Sequence, residues 1–181
     1  MCRSNAYLSV PCVTDDAATL ALKKDRFEEH RISANVRFIA GNYVTDGLIS
    51  LDRNGFDPDL PTYVIWECNT MYLPLECGKA IMDQLRSSLR DLRLSFDYFT
   101  QSIITKTTGE AGLTRMAEGF ANMGAPWIAG FDSIRALAKE VKLRVIDNST
   151  TGDLFRRYRP HATSDRPIFG PFYSVCTLGS H

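Results

Sequence analysis

Tyr63, Val64, Ile65 and Trp66 form an unbroken apolar run of β-branched and aromatic residues. Such a run predicts a strand buried on both faces, and places a strand over 62–67 at the centre of a sheet. Glu67, small polar residues and Tyr72-Leu73-Pro74 follow it. A helical pattern then carries apolar residues at Cys77, Ile81, Leu85 and Leu89. In an open parallel sheet, ligands bind beyond the carboxyl ends of the strands. Glu67, Asn69 and Tyr72 therefore stand where chemistry is expected.

The rest of the chain repeats the alternation. Tyr7 to Val13, Val36 to Ala40, Leu92 to Phe99, Leu143 to Ile146 and Phe172 to Leu178 read as strands. Between them lie helical patterns: one from Ala17 to Phe27 after the capping residues Thr14-Asp15-Asp16, a short one at Leu48 to Leu51, one over about 75–90, one from Leu113 to Met123 and one from Ile134 to Val141. Asp153 to Arg159 reads as a short basic helix or turn, and Thr100 to Thr108 shows no clear period. This order predicts an α/β class with a largely parallel sheet. The connection before the last strand lacks a strong helix, which allows that strand to run antiparallel. The 181 residues suit one domain, 1–181, with a substantial core.

Composition narrows the function. Lys and Arg number 21 and Asp and Glu 21, so no general field draws the chain to nucleic acid or an anionic membrane. The cluster Arg156, Arg157, Arg159 around Tyr158 has no second basic patch to join, and reads as solvated surface. No apolar run approaches a membrane span, and no signal-peptide pattern opens the chain, so a soluble cytoplasmic protein is expected. Five scattered cysteines without a C-x-x-C pair, and three distant histidines, argue against a zinc site or a disulfide framework. Reduced thiols are expected.

Several residues then compete for function. Glu67 suits a ligand-binding carboxylate, and equally a solvated acid favoured by a helix dipole. Asp15 and the pair Asn42-Tyr43 also close strands. An acid there can hold ribose hydroxyls, and an amide beside a ring suits adenine, although a helix cap and a turn would explain them too. Cys68 occupies a strand-to-helix turn, but Trp66 and Thr70 stand where a nucleophile elbow needs small residues. An inert thiol is the better reading. No G-x-G occurs, and Gly109 to Gly112 follows no strand, so neither makes a phosphate loop.

Taken in order, the blocks Val13 to Lys23, Val36 to Tyr43, Gly55 to Pro58, Pro61 to Glu67, Tyr72 to Pro74 and Ser95 to Tyr98 resemble the leucine carboxyl methyltransferase superfamily, including its polyketide O-methyltransferase branch. Trp66 to Leu73 is the most specific part. The resemblance implies a Rossmann-like class I methyltransferase sheet with helices on both faces, and S-adenosyl-L-methionine as cofactor. It implies methyl transfer to a carboxyl or hydroxyl group of a small molecule or peptide end, without a metal. Position by position, Glu67 would lie near the methionine part of the cofactor with Tyr72 lining the site. Asn42, with Tyr43 beside it, would take the place of an acid that reads the adenine amine, accepting through its carbonyl. Asp15 matches the second acid of the family's Glu-x-Asp strand end, and Val13 replaces the first.

The family's first strand and Gly-rich loop have no counterpart in the sequence, so the sheet is expected to be N-terminally incomplete. Losing an ionic hydrogen bond costs about 1.5–3 kcal/mol, or roughly 10- to 150-fold in affinity. Weak cofactor binding is the corresponding expectation, and a shortened, non-catalytic remnant serving as a binding module is the alternative. Asp15, Asn42 and Glu67 are expected around one crevice, Gly109 to Trp127 is a candidate lid, and open strand edges favour self-association.

Overall fold

The computed structural model describes residues 11–33, 35–161, 167 and 169–180. The chain divides into two compact units, one running to Asp57 and the other starting at Pro58. In the first, β1 (Cys12–Asp15) leads into α1 (Ala17–Glu29), then β2 (Arg37–Ala40) and two single-turn helices, α2 (Tyr43–Asp46) and α3 (Ile49–Asp52). The strand expected from Tyr7 lies outside the described residues up to Val10, and β1 takes over at Cys12. β1 and β2 pair in parallel, Asp15 opposite Ala40. Asp16 starts α1, its carboxylate accepting from the N–H groups of Ala18 and Thr19 at 2.9 and 3.0 Å. Those bonds, with the Thr19 hydroxyl foremost, hold the Asp16 carboxyl below its usual value. Leu20 and Ile39 are buried, and Phe27 meets Phe38 edge-on at 5.7 Å.

The second unit holds β3 (Thr62–Trp66), a 3-10 turn (Thr70–Tyr72), α4 (Leu75–Ser88), β4 (Leu92–Phe99) and α5 (Gln101–Ile104). It continues with α6 (Ala111–Asn122), α7 (Ile134–Glu140), β5 (Arg144–Thr150), α8 (Thr151–Tyr158), a 3-10 turn (Gly170–Phe172) and β6 (Tyr173–Gly179). The sheet order is β3-β4-β6-β5. β3 and β4 are parallel, while β6 runs antiparallel to both its neighbours. This is a mixed α/β sheet, as expected, with the last strand reversed. α4 turns Ile81, Met82 and Leu85 inward, and α7 turns Ile134, Leu137 and Ala138 inward. The stretch 101–104, which shows no period in the sequence, is a helical turn that buries Ile103. α8 carries a capping box between Thr150 and Asp153, and Arg156 pairs with Asp153.

The central strand is β4, and this corrects the expectation for β3. Every residue of β4 except Arg93 is buried, with Leu92, Leu94 and Phe96 at 2% exposure or less. Among the described residues β3 pairs with β4 alone and forms one end of the four-stranded order. Tyr63 is 60% and Ile65 69% exposed, whereas Val64 is half-buried and Trp66 buried. Hydrophobicity records what a strand can bury, not which neighbours it has. Tyr63 spends its polar end on a bond of 2.8 Å to the Ser95 hydroxyl, lying along the sheet rather than inside it.

The two strands should therefore respond differently to truncation. Phe96→Ala is expected to cost about 3–5 kcal/mol of unfolding free energy, the range for a buried ring. Ile65→Ala should stay within about 0.5 kcal/mol, as an exposed position does. Urea denaturation of both variants measures the contrast.

Candidate functional site

Within the first unit, the parallel register brings Asp15 and Asn42 to the carboxyl ends of neighbouring strands. Asp15 is not the helix cap, since Asp16 performs that role. The Asp15 carboxylate accepts from the Asp16 N–H at 3.0 Å and pairs with Lys23 at 3.3 Å, both largely solvated. Asn42 caps α2, its Oδ1 accepting from the Val44 N–H at 3.0 Å, and Tyr43 is the first residue of that turn. The amide oxygen expected to accept from an adenine amine is thus engaged by the backbone. A second lone pair on that oxygen and the NH₂ group are what Asn42 can offer a ligand.

Within the second unit, Glu67 follows β3 and is exposed, with no ion pair among the described residues. Tyr72 is half-buried against the cluster of Met71, Phe99, Ile103 and Leu113. Its hydroxyl accepts from Trp127 Nε1 at 3.3 Å. Trp127 also stacks obliquely on Phe99 at 4.4 Å and on Phe120 at 4.8 Å. Tyr72 is therefore tied to the end of the segment expected to act as a lid.

Between these two residues lies a group that the sequence reading did not single out. Asp97, in β4, is 5% exposed. Its Oδ1 accepts from the Cys68 N–H at 2.8 Å, and its Oδ2 from the Tyr173 hydroxyl in a short bond. The Asp97 carbonyl accepts from the Thr70 hydroxyl at 2.5 Å. The Asp97 carboxylate thereby holds Cys68 in a left-handed conformation, φ 55°, uncommon for a residue with a side chain. An acid between Phe96 and Tyr98 in a strand was the available signal, because a carboxylate buried there requires partners.

The electrostatics follow. Burial raises the Cys68 thiol, and the adjacent Asp97 charge raises it further. Burial also raises Tyr173, helped by its bond to Asp97. Both groups stay protonated at neutral pH. Cys68 is exposed rather than buried, but the thiol is the poorly nucleophilic form, so the inert reading holds for an electrostatic reason. Cys176, in β6, is pushed up to about 12, chiefly by burial. Cys68, Cys77 and Cys176 form no disulfide, and no cluster of metal-binding side chains occurs among the described residues. Two open clefts, of about 460 Å³ beside Tyr98, Arg135 and Asn148 and about 340 Å³ beside Leu20 and Phe38, include none of the expected site residues.

The segment 127–131 closes over the strand ends. Ile128 and Phe131 donate backbone bonds to the carbonyls of Met71 and Phe99 at 2.8 and 2.9 Å. A Cβ on Gly130 would stand 2.8 Å from the Thr100 carbonyl group. Rigid backbone on that side leaves no room.

The fold is that of the Rossmann-like methyltransferases. Magnesium protoporphyrin IX methyltransferase from Synechocystis PCC 6803, solved with bound SAH, aligns with a TM-score of 0.57 at 13% identity, over 96% of this chain and 64% of its own. A DUF574 family protein from Streptomyces avermitilis gives 0.61 at 14% identity, over 92% and 63%. An O-methyltransferase family 2 protein from Planctomyces limnophilus, in complex with apigenin, gives 0.58 at 10% identity, over 95% and 43%. The chain spans less than two thirds of the length of each of these structures. No curated protein matches it by sequence. Residues 14–86 match the leucine carboxyl methyltransferase family, bearing out the resemblance read from the sequence.

Two measurements check the site. Gly130→Ala should destabilise by about 1–3 kcal/mol through overpacking. Gly119→Ala, in α6 with open space around it, should be neutral or stabilise by up to about 1 kcal/mol. The Asp97 charge predicts slow alkylation of Cys68 by iodoacetamide at pH 7.5, read by peptide mass spectrometry. Asp97→Asn removes a charge that opposes the thiolate, so the thiol should titrate lower and react several-fold faster.

Proposed function

We propose that the chain takes part in methyl transfer from S-adenosyl-L-methionine to an oxygen of a small molecule or peptide end. The observation that carries the reading is the family match over residues 14–86, which spans β1 to α4 and includes all five residues expected to meet the cofactor. The residue types suit such a molecule. Glu67 offers an exposed carboxylate for the methionine amine, with Tyr72 beside it on the same unit. Asp15 offers a carboxylate for ribose, and the Asn42 amide and Tyr43 ring suit adenine, within the other unit. We assign the two units to one methyltransferase-like function on the same grounds. The free thiols of Cys68, Cys77 and Cys176 suit a reducing compartment such as the cytoplasm.

When bound, the sulfonium supplies an already activated methyl group. The protein's work is then to align the acceptor oxygen and exclude water. A carboxylate acceptor is ionised at neutral pH and needs no base, while a hydroxyl acceptor needs one. No helix among the described residues is long and apolar enough to cross a membrane.

The alternative reading, a binding module without turnover, draws on Val13 in place of the expected ribose acid. Calorimetric titration with S-adenosyl-L-methionine separates the two. Measurable binding that Glu67→Gln weakens by roughly 10- to 150-fold, the value of an ionic hydrogen bond, supports the cofactor reading. Absence of any binding heat at millimolar cofactor favours the module.

A further inference from the structure

Tyr173, Asp97 and Cys68 form a connected group at the carboxyl ends of β3 and β4 and the start of β6. Tyr173 donates to the Asp97 carboxylate, which the Cys68 N–H also holds. The group is graded in exposure: Asp97 is buried, Tyr173 half-buried and Cys68 exposed. A hydroxyl whose proton is committed to a carboxylate keeps its oxygen lone pairs as acceptors. It is therefore set to accept a hydrogen bond from an incoming donor.

We infer that Tyr173 and Asp97 form an acceptor subsite selective for a neutral hydroxyl compound, a phenol or alcohol, over a carboxylate. The inference rests on the methyl-transfer reading and narrows it. Tyr173 is the residue that touches the acceptor, and Asp97 acts through it. The acceptor O–H gives its proton to Tyr173 Oη as Tyr173 gives its own to Asp97 Oδ2. Asp97 ends neutral, Tyr173 unchanged, and the acceptor oxygen carries the negative charge needed for attack. A carboxylate has no proton to donate and meets two acids instead. Asp97 lies directly against this position, and the exposed Glu67 immediately precedes Cys68; neither acid has a Lys or Arg partner among the described residues. Like charges without a counter-ion disfavour an anion.

The bland alternative is that Asp97 only locks the Cys68 turn and the Tyr173 ring. Ligand binding separates the two without requiring turnover. The probes are 4-methylphenol, neutral at pH 7, and 4-methylbenzoate, ionised there, titrated into the whole chain by two-dimensional NMR. The phenol is expected to bind at least ~10-fold more tightly and to shift the Cys68 and Tyr173 resonances. Tyr173→Phe, which keeps the ring, should weaken phenol binding by about 10-fold, the value of one hydrogen bond. Asp97→Asn should narrow the preference by admitting the benzoate. If Asp97→Asn fails to fold, Tyr173→Phe alone decides. Equal or tighter benzoate binding, binding of neither probe, or a preference unchanged in Tyr173→Phe overturns the inference. A parallel titration with S-adenosyl-L-methionine addresses the underlying reading. Phenol selectivity without cofactor binding refutes methyl transfer and leaves the hydroxyl subsite standing. Cofactor binding without phenol selectivity does the reverse.

Discussion

A carboxylate taken out of water must be repaid in hydrogen bonds, and Asp97 shows how much structure one such debt can organise. Its two oxygens take one backbone N–H and one phenol O–H, and its carbonyl takes a third donor from Thr70. Those partners come from the turn after β3 and from the start of β6, while Asp97 itself belongs to β4. Three strands that are remote in sequence are thereby referenced to one side chain. The aromatic packing around Phe99, which touches Trp127, Phe169 and Tyr173, is built beside it. Apolar packing tolerates small slides, whereas hydrogen bonds of 2.5–2.8 Å to fixed donors do not.

The same side chain connects stability with chemistry. Its charge keeps the neighbouring thiol protonated and polarises the neighbouring phenol. The arrangement suits proton movement at an oxygen better than nucleophilic attack by sulfur. The turn that resembles a nucleophile elbow in outline is thus electrostatically the opposite of one: an acid, rather than a base or helix dipole, stands behind the cysteine.

Much of this was legible in the residues. The alternation of strands and helices, the reversed final strand and the strand over Leu92 to Phe99 follow from local pattern, and the structure has them. The rank order of strands was not legible. Tyr63 to Trp66 is more uniformly apolar than β4, which carries Arg93, Ser95 and Asp97, and only the pairing shows that β4 lies between two partners. The helical turn at Gln101 escaped because one buried residue, Ile103, is too few to define a period. Asp15 and Asn42 do stand at strand ends, and the helix cap that Asn42 makes through its oxygen depends on a turn the residues alone do not announce. Asp97 was visible as an acid between two aromatic residues of a strand, yet its meaning depends on Tyr173, 76 positions away. Sequence spacing cannot report such a partner.

The position of β6 also bears on how the molecule is made. It is the last of the described strands, yet it lies between β4 and β5 and pairs along its length with both. During synthesis β3, β4 and β5 all emerge before the strand that joins them, so the four-stranded sheet cannot close until translation has passed Gly179. Until then β4 offers an apolar, unpaired edge to whatever is near. Contacts of such long sequence separation fold slowly and expose intermediates to aggregation. A chain cut off before Tyr173 would leave the facing edges of β4 and β5 unpaired, the kind of edge on which other strands add.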